Sequence, residues 1–148
     1  MPIKRENYHL YPGGSPYSKE WKAIVARIKA RAGNVCERCR VPNRVFIRRD
    51  KAARIYILPD GEIRSADTGE TLGVLVDDVP WFGRLEDPIE VILTIAHLNH
   101  DPTDNAYANL QAWCQMCHLG HDHAHHQANA ARTRTARAVS SLPAGCRQ

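Results

Sequence analysis

Two cysteine pairs, Cys36-x-x-Cys39 and Cys114-x-x-Cys117, constrain this chain more than any other feature of its sequence. A C-x-x-C turn presents two sulfurs about 3.5 to 4 Å apart, the separation at which one tetrahedral, thiophilic ion accepts both. Two such turns complete a four-thiolate shell. A single pair is equally well a redox couple, or two thiols buried as small apolar groups. Two pairs, each beside a turn or a helix start, point instead to structural zinc held by Cys36, Cys39, Cys114 and Cys117. The long intervening stretch must then close on itself, which adds little loop entropy if it folds as a hairpin or small sheet of its own. A fifth cysteine, Cys146, has no partner at ligand spacing and reads as incidental.

At 148 residues, 43% hydrophobic and 24% charged, the chain has the size and composition of one globular domain, expected to be single over 1–148. No apolar run approaches the roughly 20 residues that span a bilayer, so no membrane partner is expected. The first residues, Met1-Pro2-Ile3-Lys4-Arg5-Glu6, lack the order of a secretory signal, which implies a reducing, cytoplasmic setting. Charge is unevenly distributed. Residues 1–50 carry twelve Lys/Arg against four acids, residues 51–126 four against twelve, and residues 127–148 four against none. Basic flanks around an acidic middle suit a protein whose ends hold a polyanion and whose centre holds metal ions, although ordinary solvated surface charge gives the same totals.

Along the chain, residues 1–15 are rich in Pro and Gly and read as an extended arm. Ser15-Pro16 offers an N-cap and a first-turn proline, so an amphipathic helix is expected over 16–33, with Trp21, Ile24, Val25, Ile28 and Ala32 on one face and Gly33-Asn34 as its stop. Residues 44–88 form a β-rich insertion, with runs at Val45–Ile47, Arg54–Leu58 and Thr71–Val76 and turns at Pro59-Asp60-Gly61 and Thr68-Gly69. Ile89 to Ala96 is the strongest strand. A polar loop follows, and Asn109 to about Ala138 has the composition of a helix. The last residues, from Ser140, read as frayed.

Candidate chemistry is concentrated after that strand, at His97, His100, Asn109, His118 and Asp122. On a helix, positions 118 and 122 share a face, so an imidazole and a carboxylate can approach one hard divalent ion. His121, His123, His125 and His126 make a further cluster of the kind that binds metal nonspecifically. No Gly-rich phosphate loop, nucleophile motif or H-E-x-x-H is present.

The segments Ala96-His97-Leu98-x-His100-Asp101-Pro102, Asn109-Leu110 and Cys114-x-x-Cys117-His118, in this order and spacing, resemble the HNH endonuclease family. The helix with Trp21-Lys22-x-Ile24 ahead of Cys36-x-x-Cys39 is similar to its zinc-stapled branch, common in phage and prophage genomes. The likeness covers residues 16–126 in outline. It implies an α+β fold with a ββα-metal core over 89–126, stapled by the four-cysteine site, with the 16–33 helix, the inserted hairpin and a basic helix or tail over 127–148. It implies metal-dependent hydrolysis of DNA in a bacterial or phage-infected cell. His97 matches the general base, Asn109 the residue that ties the ribbon loop and orients that base, and His118 a ligand of the catalytic cation, with Asp122 as a further ligand.

One position departs from the family pattern. The residue before the base, usually a metal ligand, is Ala96. Either His100 or Asp101 replaces it, or the register shifts to Asn99 as ligand and His100 as base; the spacing to Asn109 favours His97. The implied cofactors are structural Zn2+ and a catalytic Mg2+, Mn2+ or Ni2+. The expected DNA contacts are Lys22 and Lys29 on the first helix and Arg132, Arg134 and Arg137 near the C-terminus. The rival reading is a zinc-ribbon DNA-binding module without catalysis, in which the histidines are incidental.

Overall fold

The computed structural model of the chain describes residues 3–50, 52–75 and 87–140, the side chains of 139 and 140 excepted. The expectations for Cys146 and the chain end from residue 141 lie outside the described residues. The chain divides into two units, Met1–His118 and Leu119–Gln148. The first unit is mixed α+β. In the second, residues 119–138 form a mostly exposed stretch of helix.

The described part of the arm, residues 3–15, expected to be extended, instead contains two short 3-10 turns, Arg5–Leu10 and Pro12–Gly14. The cause is aromatic: the Tyr11 ring meets Trp21 edge-on at 5.2 Å, which draws the arm onto the first helix. That helix, α1 (Lys19–Arg31), starts later than Ser15-Pro16 proposes. Ser15 is occupied in a turn, its hydroxyl accepting the Tyr17 N–H at 3.1 Å and its carbonyl the Ser18 N–H at 3.1 Å. Ser18 is the cap: its hydroxyl accepts the Trp21 N–H at 3.0 Å and donates to the Pro12 carbonyl at 2.5 Å. The stop falls where expected. Gly33 and Asn34 are both left-handed (φ 64° and 57°), and their N–H groups bond to the Ala30 and Lys29 carbonyls.

The insertion supplies four strands, β1 (Phe46–Arg49), β2 (Ile55–Ile57), β3 (Glu62–Ser65) and β4 (Thr71–Val74), and β5 (Ile89–Glu90), just beyond it, completes an antiparallel sheet in the order β4-β3-β2-β1-β5. The sequence pattern misses β3, because Glu62-Ile63-Arg64-Ser65 has one apolar residue. The strand is held by its neighbours: Ile63 pairs with Ile57 on one side and Gly73 on the other, and Glu62 takes bonds from Arg64 at 2.7 Å and Thr71 at 2.5 Å.

The strand expected to run from Ile89 to Ala96 is two strands. It changes partners midway, from β1 to a separate two-stranded ribbon made of β6 (Thr94–His97) and β7 (Leu110–Trp113). In between, the Leu93 N–H bonds to the Asn43 side chain at 2.9 Å and the Ile92 N–H to the Gln115 side chain at 3.1 Å. The helix expected from Asn109 begins only at Gln115, as α2 (Gln115–Ser140). Residues 110–113 are a strand because their backbone groups pair with β6, from Thr94↔Trp113 to His97↔Leu110. Helix-compatible composition is overridden by that pairing.

The core is built around the cysteines. Cys36, Cys39 and Cys114 are fully buried, with Ile28, Val41, Tyr56, Leu93 and Leu110 among the side chains of the same cluster. The inserted sheet closes over the first cysteine turn. The Tyr56 hydroxyl donates to the Cys39 carbonyl at 2.9 Å, and a Cβ on Gly69 (φ 77°) would lie 2.6 Å from the Arg40 Cβ and 2.7 Å from the Cys39 carbonyl oxygen. Gly69→Ala should therefore destabilise the fold by at least about 1 kcal/mol from the left-handed backbone alone, and by more from the clash. Gly73→Ala, where a Cβ meets nothing within 4 Å, is the control. Urea unfolding of the two variants checks this, with equal midpoints contradicting it.

Candidate functional site

The first site consists of the four cysteines, which the fold brings together from opposite ends of the first unit. Their sulfurs all lie within 4.8 Å of one another, with Cys39 Sγ 3.7 Å from Cys114 Sγ. Sulfurs about 2.3 Å from a tetrahedral zinc stand about 3.8 Å apart, whereas disulfide sulfurs are about 2.05 Å apart. All four are free thiols in a geometry that can hold a metal ion such as zinc. They share protons unequally. Hydrogen bonding with Cys114 holds Cys36 far below the usual thiol range, and bonding with Cys117 lowers Cys114 to about 7. Bonding with Cys114 pushes both Cys39 and Cys117 well up. Four mutually hydrogen-bonded sulfurs buried at this separation are a ready ligand set.

Each cysteine turn is shaped locally. In the first, the Cys36 N–H bonds to the Val41 carbonyl at 2.8 Å and the Arg40 N–H to the Cys36 carbonyl at 2.9 Å, with Arg40 left-handed at φ 59°. The second is the first turn of α2, where the Cys114 N–H donates to Cys36 Sγ at 3.3 Å and the His118 N–H to the Cys114 carbonyl at 3.0 Å. Glu37 links the two. Its N–H bonds to the Ala112 carbonyl, its carboxylate accepts the Ala112 N–H at 2.7 Å, and Arg31 grips the same carboxylate with two bonds of 3.0 and 2.9 Å. Arg31 also donates to the Tyr107 and Leu110 carbonyls at 2.8 and 2.6 Å. Neither residue stands out in the sequence, since a lone Arg and a lone Glu carry no spacing signal.

The second site is the loop end of the β6–β7 ribbon. Asn109 acts as a loop tie: its side-chain Oδ1 accepts the Asn99 N–H at 3.2 Å, and its side-chain Nδ2 donates to the Asn99 side chain at 2.9 Å and the Asp104 carbonyl at 2.8 Å. It caps no helix. His97 ends β6, half-buried, with its ring stacked on Trp21 at 5.8 Å and an interplanar angle of 7°. Its Nε2 lies 3.2 Å from Asn105 Oδ1. The Asn105 amide nitrogen donates to the Pro102 and Thr103 carbonyls, so its oxygen must face the histidine. Nε2 then carries the proton and Nδ1 the lone pair.

His118 is held through its Nδ1, 2.7 Å from Thr94 Oγ1, a hydroxyl that also lies 3.3 Å from the Trp113 carbonyl. Where that hydroxyl gives its proton to the carbonyl, Nδ1 donates and Nε2 bears the lone pair, the tautomer a metal-ligating histidine needs. Thr94 and Asn105 are functional neighbours that sequence reasoning missed.

Strand alternation separates the two histidines. His97 shares a face of the ribbon with Ile95, towards Trp21 of α1, whereas Thr94, the partner of His118, is on the other face. His100 sits in the loop, left-handed at φ 58°, with its N–H on the His97 carbonyl at 3.1 Å. Asp101 is taken up locally: hydrogen bonds from the Thr103 hydroxyl and N–H hold its carboxyl below the usual range. Asp122 belongs to the second unit, where it lies 3.8 Å from His126.

Of the basic residues, Lys22 is exposed, while burial and then the neighbouring Arg44 charge lower the Lys29 ammonium. Arg132, Arg134 and Arg137 are exposed on α2. Helical spacing puts Arg134 and Arg137 on one side and Arg132, bonded to Asn129, well round from them. Comparison with family models, with curated proteins and with solved structures gave no match. No helix among the described residues is long and apolar enough to cross a membrane.

The cysteine geometry predicts one tightly held metal ion per chain. Metal analysis of protein prepared without a His-tag should give a stoichiometry near one zinc. Cys39→Ser should lose most of the metal and, with it, several kcal/mol of stability, because metal affinity at such a site is folding free energy. A monodisperse, metal-free chain with a cooperative melt unchanged by Cys39→Ser would refute it.

Proposed function

We propose that this chain is a metal-dependent endonuclease of the HNH type, which hydrolyses DNA phosphodiester bonds from a ββα-metal core stapled by zinc at Cys36, Cys39, Cys114 and Cys117. The observation that carries the reading is the arrangement of the ribbon: it runs through a four-sulfur centre into a helix, Asn109 ties its loop, Asn105 holds His97 at the loop end, and Thr94 holds His118 at the other end.

Each residue then has a task. His97 presents an unprotonated Nδ1, which takes a proton from the attacking water. Asn105 holds the opposite nitrogen, and Trp21 holds the plane of the ring. His118 presents Nε2 as a ligand for a divalent cation such as Mg2+, Mn2+ or Ni2+. When bound, such an ion supplies positive charge against the scissile phosphate and the departing oxygen. Asn109 keeps the loop closed so that the base stays in register. The basic residues Lys22, Arg132, Arg134 and Arg137 would meet backbone phosphates, which carry affinity without base specificity.

One observation favours a second reading. Because His97 and His118 lie on opposite faces of the ribbon, either His100 is the base or the fold is a zinc-stapled DNA-binding module without catalysis. Supercoiled-plasmid nicking with Mg2+, Mn2+ or Ni2+ separates the three. If His97 is the base, His97→Ala should lose on the order of 10² or more in rate while still binding DNA and titrating with Mn2+ like the parent. His118→Ala should regain part of its activity with excess metal. A dead His100→Ala beside an active His97→Ala transfers the role to His100, and full DNA binding with no cleavage by the parent leaves the binding module.

DNA binding should weaken with salt at a log–log slope of roughly −0.9 per phosphate neutralised on duplex DNA. Reversing Arg132, Arg134 and Arg137 to Glu should flatten that slope and lower affinity alike for unrelated sequences. Filter-binding titrations at several salt concentrations check this, and an unchanged slope would show that these arginines only face solvent.

A further inference from the structure

We infer that Arg49 is a positioning residue of the four-cysteine centre, the buried cation that offsets the surplus negative charge of a four-thiolate metal site and docks the inserted sheet against it. The inference rests on the reading of that centre as a metal site. Arg49 stands at the end of β1, is 5% exposed, and is the one charged residue buried in the core among the described residues. Its Nη2 donates to Cys114 Sγ at 3.9 Å, and its guanidinium lies 5.7 Å from the centre of the Tyr56 ring. Nε has no hydrogen-bond partner, and no carboxylate pairs with this side chain, among the described residues.

A buried guanidinium without a counter-charge is a costly arrangement. The acceptor present is sulfur, and a divalent ion with four thiolates bears a net charge of minus two. The bound centre therefore supplies the anion that Arg49 lacks among the described residues, and Arg49 supplies part of the compensation that the centre needs in a low-dielectric core. Tyr56, on the adjacent strand, completes the link: it contacts the Arg49 guanidinium through its ring and donates its hydroxyl to Cys39, so β1 and β2 touch both cysteine turns. Arg48, the next residue along β1, is exposed and has no part in this contact.

The test is zinc affinity of the full chain, by competition with a chromogenic chelator at fixed pH and salt, for the parent, Arg49→Met, Arg49→Lys and Arg48→Met. Methionine keeps much of the apolar stem and removes the charge. Arg49→Met should bind zinc on the order of 10- to 100-fold more weakly, Arg49→Lys should fall between it and the parent, and Arg48→Met should match the parent. Parental affinity in Arg49→Met overturns the inference while leaving the metal site standing, whereas a parent that binds no zinc overturns both. If Arg49→Met does not fold, the Co2+ spectrum of Arg49→Lys decides. A shifted thiolate-to-cobalt band supports the contact, and a band superposable on the parent's overturns it.

Discussion

The convergence of Cys36, Cys39, Cys114 and Cys117 on one buried point is the constraint on which the first unit depends. These residues come from two segments far apart in sequence, and bringing them together fixes where the inserted sheet and the ribbon must begin and end. Closing a longer flexible loop adds only about 0.6 kcal/mol for each doubling of its length. The greater difficulty is burying four mutually hydrogen-bonded thiols, with Cys36 and Cys114 drawn towards thiolate and Cys39 and Cys117 away from it. A bound cation would relieve that competition by accepting all four sulfurs, which would link metal affinity to folding.

Around that point the structure uses polar contacts of unequal worth. The Arg31–Glu37 pair differs from an exposed ion pair of the kind that contributes almost nothing. It is bidentate, largely shielded at 24% and 19% side-chain exposure, and extended by bonds to the Tyr107 and Leu110 carbonyls. Because Glu37 also receives the Ala112 N–H, the network joins α1, the first cysteine turn and β7 in one set of bonds. Its position next to Cys36 makes it a brace for the four-cysteine centre. The inserted sheet braces the other side through Tyr56, Gly69 and Arg49, which gives the long β-rich stretch between the cysteine pairs a definite physical task.

The ribbon shows how second neighbours assign chemistry. Both His97 and His118 are held by neighbours outside the four-cysteine centre. Asn105 faces one and Thr94 the other, and each of these also bonds to backbone carbonyls. The two rings meet different faces of the ribbon. They also stand at its two ends: His97 is opposite Leu110 beside the loop that holds His100, whereas Thr94, the partner of His118, is opposite Trp113 at the far end.

Much of this was legible in the sequence because it is carried by local spacing. C-x-x-C fixes two sulfurs whatever surrounds it, Gly33-Asn34 stops a helix through backbone preference alone, and Pro59-Asp60-Gly61 and Thr68-Gly69 make turns for the same reason. The amphipathic face of α1 was equally plain, since Trp21 and Ile28 recur at helical period. What the sequence could not decide were matters of partnership. Glu62–Ser65 is a strand only because β2 and β4 flank it, and Leu110–Trp113 is a strand only because β6 takes its hydrogen bonds. Ile89 to His97 breaks in two because the chain trades one partner for another. The buried charge of Arg49, the roles of Asn105 and Thr94, and the opposite facing of His97 and His118 all arise from contacts between residues that no local rule connects. Tertiary structure alone settles those, because hydrogen bonds and charge compensation depend on distance in space, whereas periodicity and turn preference depend on distance along the chain.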